Sequence, residues 1–108
     1  GDGIMSVASG TARSTTPSLV PFILNIESPI TPNTVFPITI PDLCKQYLLR
    51  SRNSGQIKMA FDEINFETNY FTISRNNSFE QSGLLVKDLV IYASTDKAAD
   101  VIEILYWT

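Results

Sequence analysis

The stretch ADVIEILYW, Ala99 to Trp107, carries apolar residues on both sides of a two-residue alternation. Ile102, Ile104 and Tyr106 face one way, and Val101, Glu103, Leu105 and Trp107 face the other. An antiparallel strand with one solvated face alternates apolar with polar, so two largely apolar faces place this strand inside a sheet with its outer face covered. The chain's own amino-terminal arm and a second subunit are the two candidate covers.

Working outward, the same period recurs in short runs. Asp88 to Ala93 holds Leu89, Ile91 and Ala93 in phase, and Ser94 to Lys97 turns the chain into the closing strand. Leu84 to Val86 reads as a short sixth strand, and Asn69 to Ser74 as a fifth that ends at Arg75-Asn76-Asn77-Ser78. Gln56 to Phe61, with Ile57, Met59 and Phe61 on one face, follows Lys45 to Ser51 across Arg52-Asn53-Ser54-Gly55, and this pattern predicts a hairpin. Thr34 to Ile40 carries Phe36, Ile38 and Ile40 on one face and Pro37 on the other. Proline has no amide to give a neighbouring strand, so this is an edge. Leu19 to Ile26 is the first strand, with Pro21 admissible at an edge or a strand start. All six prolines lie between Pro17 and Pro41, and helix is expected only as a turn or two near Pro41 to Lys45. About eight short strands at this spacing predict an all-β fold: an antiparallel β-sandwich over residues 19–108, of jelly-roll or Greek-key type.

Residues 1–18 are rich in Gly, Ala, Ser and Thr, with Asp2 and Arg13 as the only charges. Such a segment builds no core of its own. It is expected to form an extended arm that packs against a neighbour or runs across its own domain. Met5 is a candidate start residue, which would make Gly1 to Ile4 a leading remnant. At 108 residues the chain suits one domain. Its 44% hydrophobic and 18% charged residues indicate neither wholesale disorder nor a membrane span. Apolar runs such as Leu19 to Leu24 fall far short of the roughly 20 residues that cross a bilayer, and no basic segment leads into an apolar one at the start, so no secretory signal is expected. Eight Lys and Arg against eleven Asp and Glu give a net charge of −3. That balance supplies no attraction for phosphate backbones, so nucleic acid is not an expected partner. The lone Cys44 has no pairing partner in the chain and reads as a small, half-buried apolar residue. A single free thiol suits a reducing compartment, or a particle assembled in one.

The absence of histidine removes Ser-His-Asp and Cys-His catalysis, the histidine general base and Cys/His zinc sites. None of the glycines forms a phosphate-cradling loop. No catalytic residue, cofactor or metal is expected. Three constellations remain. Asp62 to Asn69 concentrates oxygen ligands but lacks the glycine-hinged spacing of calcium loops, and reads as a solvated turn; Asp62, Glu63 and Glu67 as a glycosidase acid pair would need a deep cleft. Lys45, Arg50, Arg52 and Arg75 are a basic set, in which Arg50 and Arg52 project from one strand face as a strip for an anion or a partner, or as charges that keep a sheet soluble. Tyr47, Tyr70, Tyr92, Tyr106 and Trp107 are core aromatics, or a stacking platform if the protein binds sugars or bases.

Five segments follow in order between Pro37 and Thr108: I-x-I-P at Ile38 to Pro41, K-Q-x-L-L-R at Lys45 to Arg50, Y-F-T-I at Tyr70 to Ile73, G-L-L-V at Gly83 to Val86, and V-I-E-I-L-Y-W-T at Val101 to Thr108. This series resembles small phage-encoded virion accessory proteins; the proline-rich stretch before Pro37 lies outside it. The resemblance implies a capsid decoration or accessory protein that binds a repeated protein surface as a homo-oligomer, commonly a trimer, within a virion assembled in the bacterial cytoplasm. The expectation is therefore a non-enzymatic structural protein whose partner interface comprises Val101, Glu103, Leu105 and Trp107 with Arg50 and Arg52. The alternative is a carbohydrate-binding, lectin-like module using Trp107 or Tyr106 to stack on a glycan.

Overall fold

The structure, a computed structural model, describes residues 20–64 and 66–108; the expected arm over residues 1–18 lies outside them. Eight strands follow in order: β1 (Phe22–Glu27), β2 (Phe36–Thr39), β3 (Gln46–Ser51), β4 (Ile57–Ala60), β5 (Phe71–Ile73), β6 (Ser78–Ser82), β7 (Val90–Thr95) and β8 (Val101–Trp107). They form two four-stranded antiparallel sheets, β1-β8-β3-β6 and β2-β7-β4-β5. Every consecutive pair except β4 and β5 changes sheet. That alternation is the strand order of an eight-stranded jelly roll.

The closing strand takes the position its two apolar faces demand, between β1 and β3. Ile102 and Ile104 are fully buried, and with Tyr47 and Leu49 of β3 they meet Ile38, Ile57, Met59, Ile91 and Ala93 of the opposite sheet. Each such side chain contributes about 1.5–3 kcal/mol when removed from water. Tyr47 keeps its hydroxyl satisfied by donating to the Gln81 amide oxygen Oε1 at 2.7 Å, and burial, with a smaller push from Cys44, raises its phenol to about 12. Phe79 of β6 packs edge-on to Phe71 of β5 at 5.6 Å between centroids, closing the sandwich between two edge strands. Pro37 lies on the exposed phase of β2, an edge strand as its proline requires.

Four expectations need correction. Lys45 to Phe61 is not a hairpin: β3 and β4 belong to different sheets. Residues 52–56 form an arch between them, in which the Asn53 amide donates to Asp100 Oδ1 at 3.2 Å, the Gly55 amide to Ser51 Oγ at 2.8 Å and the Gln56 amide to Asp96 Oδ1 at 2.9 Å. Turn residues between two alternating runs serve a hairpin and an arch equally. What decides is that the inner rows, Tyr47 and Leu49 against Ile57 and Met59, bury from opposite sides. The sixth strand is Ser78–Ser82 rather than Leu84 to Val86. SFEQS offers only Phe79 to the core because it is an edge strand, whereas 84–86 is a connection held by Leu84 and Val86 amides on the Lys45 and Cys44 carbonyls. Pro41 to Lys45 holds a reverse turn and no helix, with Leu43 at φ 69° and the Cys44 amide reaching the Pro41 carbonyl at 3.4 Å. The closing strand begins at Val101, since Ala99, at φ 48°, and Asp100 make the corner before it.

Candidate interaction face

The outer surface of the sheet β1-β8-β3-β6 is built by the alternate residues that the core does not take. Register places Ile23 opposite Leu105 and Leu105 opposite Leu48, so three aliphatic side chains from three strands form one row across the sheet. Ile23 is 71% exposed, and Leu105 and Leu48 are half-buried. The next row toward the arch holds Asn25, Glu103 and Arg50. On the other side Trp107 lies opposite Gln46, whose amide reaches Glu80 of β6 at 2.5 Å. The aliphatic row is thus framed by Asn25, Glu103 and Arg50 on one side and by Trp107 with the Gln46–Glu80 pair on the other.

All six residues expected at an interface, Val101, Glu103, Leu105, Trp107, Arg50 and Arg52, fall on or beside this face. Arg50 and Arg52 do not leave an open anion strip. Their Nε atoms grip the two carboxylate oxygens of Glu103 at 3.0 and 2.9 Å, and the hydrogen bonds from Arg52 and Arg50 hold that carboxyl below its ordinary value. The strand ends at Ser51, yet Arg52 stays aligned because its amide donates to the Val101 carbonyl at 2.8 Å. A shallow depression of about 450 Å³ runs along the face, bounded by Ile23, Asn25, Leu48 and Leu105 and by the Arg50, Arg52 and Glu103 cluster. Trp107 stands outside it.

The other constellations disperse. Tyr47 is a fully buried core residue, Tyr106 stacks on Phe22 at 5.2 Å, and Tyr70 lies beneath the Lys58 ammonium at 4.7 Å, so the aromatics form no common platform. Arg75 pairs with Asp96 at the arch end, where burial raises the Asp96 carboxyl and the Gln56 amide and Arg75 more than offset it, leaving it lowered. In the acidic loop Asp62 Oδ1 accepts the Ile64 amide at 3.0 Å, as in a solvated Asx turn, and Phe66 tucks in at 5% exposure. Among the described residues no three Asp, Glu, Cys or His side chains converge as metal ligands, and no helix is long and apolar enough to cross a membrane.

Sequence reasoning missed Asp100. It is fully buried and accepts the Ser51 and Thr95 hydroxyls on Oδ2 and the Asn53 and Val101 amides on Oδ1, while its own amide donates to Ser28 Oγ. Its partners are scattered from Ser28 to Val101, and no local pattern joins them. Compared with family models, with curated proteins and with solved structures, the chain matches none.

Proposed function

We propose that the protein is a non-enzymatic structural component, a phage virion decoration or accessory protein, that stabilises a larger assembly by docking the outer face of its β1-β8-β3-β6 sheet on protein. The supporting observation is the aliphatic row Ile23, Leu105 and Leu48, which crosses a sheet surface that would be polar in a domain acting alone. Glu103 is already paired with Arg50 and Arg52 within the chain, so burying the row strands no unpaired carboxylate, and the cluster keeps one positive charge in excess. Jelly rolls recur in viral capsids and also in lectins and cupins, so the fold supports this reading only by analogy. Light scattering at micromolar concentration tests it. A mass of two or more times 12.0 kDa that falls in Leu105→Arg or Leu48→Arg, with melting little changed, is the expected result, and a clean monomer counts against the proposal.

The depression beside Arg50, Arg52 and Glu103 favours a second reading, a glycan-binding module, since it joins polar hydrogen-bonding groups to an apolar wall. Its weakness is the missing stacking ring: Trp107 does not line the depression, and Tyr106 is engaged with Phe22. A saturable glycan-array signal abolished by Arg52→Ala would favour this reading.

A further inference from the structure

Of the four strands at sheet edges, three are blunted against pairing with another chain. β2 carries Pro37, β5 has only three residues, and β6 is SFEQS, polar and bearing Glu80. The fourth, β1, is FILNIE: six residues with no proline, no lysine and a single charge at its very end. Phe22 and Ile23 are 52% and 71% exposed along it, and among the described residues only β8 pairs with it. A long apolar edge left unprotected beside three protected ones is a template for strand addition.

We infer that the free edge of β1 takes the β1 of a second copy, antiparallel about a two-fold axis, joining two four-stranded sheets into one of eight. The occupant follows from the strand's own pattern. Opposed residues in an antiparallel pair point to the same face, so a two-fold axis must match odd positions with odd and even with even. Centring it on Leu24 sets Leu24 against Leu24 and Phe22 against Ile26 on the inner face, every pair apolar. On the outer face Ile23 meets Asn25. The two Glu27 carboxylates stand at opposite ends of the ribbon, so no like charges are opposed. Centring on Asn25 instead sets Ile23 against Glu27 and leaves Phe22 against Ser28.

This inference rests on the proposed docking face and enlarges it. The row Leu48, Leu105 and Ile23 of one copy would continue through the diagonal contact of the two Ile23 side chains into the same row of its partner. The pairing is isologous, so copies assemble in even numbers: two, or six if a three-fold contact is also made.

Cysteine cross-linking tests the edge in the full chain. The two Leu24 Cα atoms would lie about 4.5–5.5 Å apart, within the roughly 4.4–6.8 Å a disulfide spans, and the native Cys44 is fully buried. Leu24→Cys should become a covalent dimer under mild oxidant while Asn25→Cys alone does not. Should Leu24→Cys fold poorly, an equimolar mixture of Ile23→Cys and Asn25→Cys, both at exposed positions, should cross-link where neither does by itself. Failure of both routes overturns the inference, as does cross-linking of Asn25→Cys alone. Cross-linking that appears only after residues 1–19 are removed would assign the edge to the chain's own leading segment and also overturn it. A wild-type oligomer without these cross-links sinks this inference and spares the proposed function, whereas a monomeric wild type sinks both.

Discussion

The Ser51 hydroxyl donates to Asp100 Oδ2 at 2.5 Å across 49 residues of chain, tying the end of β3 to the corner that precedes β8. The same carboxyl takes Thr95 Oγ1 from the end of β7 at 2.9 Å and the Asn53 amide from the arch at 3.2 Å. Asp100 therefore holds together both sheets and two of the connections between them. Four accepted hydrogen bonds at a site closed to water are what allow so polar a group to be buried.

Asp100→Ala should be among the most damaging single changes in the chain. It leaves two hydroxyls and two amides without their acceptor, and the loss should reach on the order of 3 kcal/mol or more. For a domain of this size that corresponds to a melting temperature lower by roughly 12–24 °C. Asp100→Asn, which keeps one carbonyl acceptor but adds two donors, should fall between Ala and wild type. Calorimetry of the three proteins checks the order, and a shift under about 3 °C for Asp100→Ala would remove Asp100 from its central role.

Gly55→Ala tests the same corner from the arch. A methyl at Gly55 would drive into Thr95 Oγ1 and Asp100 Oδ2, with Lys97 Cγ also within 3.1 Å. The crowding atoms belong to the hydrogen-bonded group around Asp100 and cannot swing aside without breaking it, so overpacking should cost about 1–3 kcal/mol. In the Asp100→Ala background one of the two closest obstacles is gone and the other, Thr95 Oγ1, has lost the carboxylate that holds it, so the same substitution should cost less. Chemical denaturation of the double-mutant cycle measures that coupling, and simple additivity would show that the clash is relieved elsewhere.

The class of fold was legible because period two survives in nearly every strand. Ile102 and Ile104, or Phe36, Ile38 and Ile40, needed no tertiary information to be placed inside. The partition into sheets was not legible. Arg52 to Gly55 has the composition of a hairpin turn, and the acceptors that make residues 52–56 an arch lie forty or more residues away: the Val101 carbonyl for Arg52, Asp100 for Asn53 and Asp96 for Gln56. β6 escaped because an edge strand with one buried aromatic has almost no hydrophobic signal. On the candidate interaction face, the outward phase of Leu105 and Arg50 could be read from alternation, but Ile23 and Leu48 enter through register, a relation between strands that no single strand encodes.

Glu103, on the candidate interaction face, gives folding stability a pH dependence of fixed sign. Its carboxyl is held low by hydrogen bonds from Arg52 and Arg50, so the folded state binds a proton less readily than the unfolded chain. The clamp's contribution is complete above the ordinary glutamate value, about 4.3, and is lost as pH falls through the depressed folded value. Both arginines are about half exposed, which limits the contribution to under about 1 kcal/mol. Glu103→Gln should flatten the stability profile below about pH 4.5 while changing little at pH 7 beyond that small loss. Denaturant titrations at pH 7 and pH 3.5 decide it: an unchanged difference between the two pH values in Glu103→Gln would show that the pH effect comes from other carboxyls.

Trp107 separates the two readings of function. It ends β8 on the outer phase, half-buried, opposite Gln46 and outside the depression. If the face docks on protein, its indole loses its remaining contact with water on association. Emission should then shift to the blue as concentration rises through the association range and return on dilution, with no response to added sugars. Trp107→Ala should weaken association by tenfold or more, about 1.4 kcal/mol, while the monomer keeps most of its stability because the core row of β8 is Ile102 and Ile104. If glycan instead fills the depression, which Trp107 does not line, a saturable sugar-binding signal should survive Trp107→Ala and be lost in Arg52→Ala, in a protein whose mass is unchanged. Emission independent of protein concentration in a chain that oligomerises by light scattering would move the interface away from this end of β8.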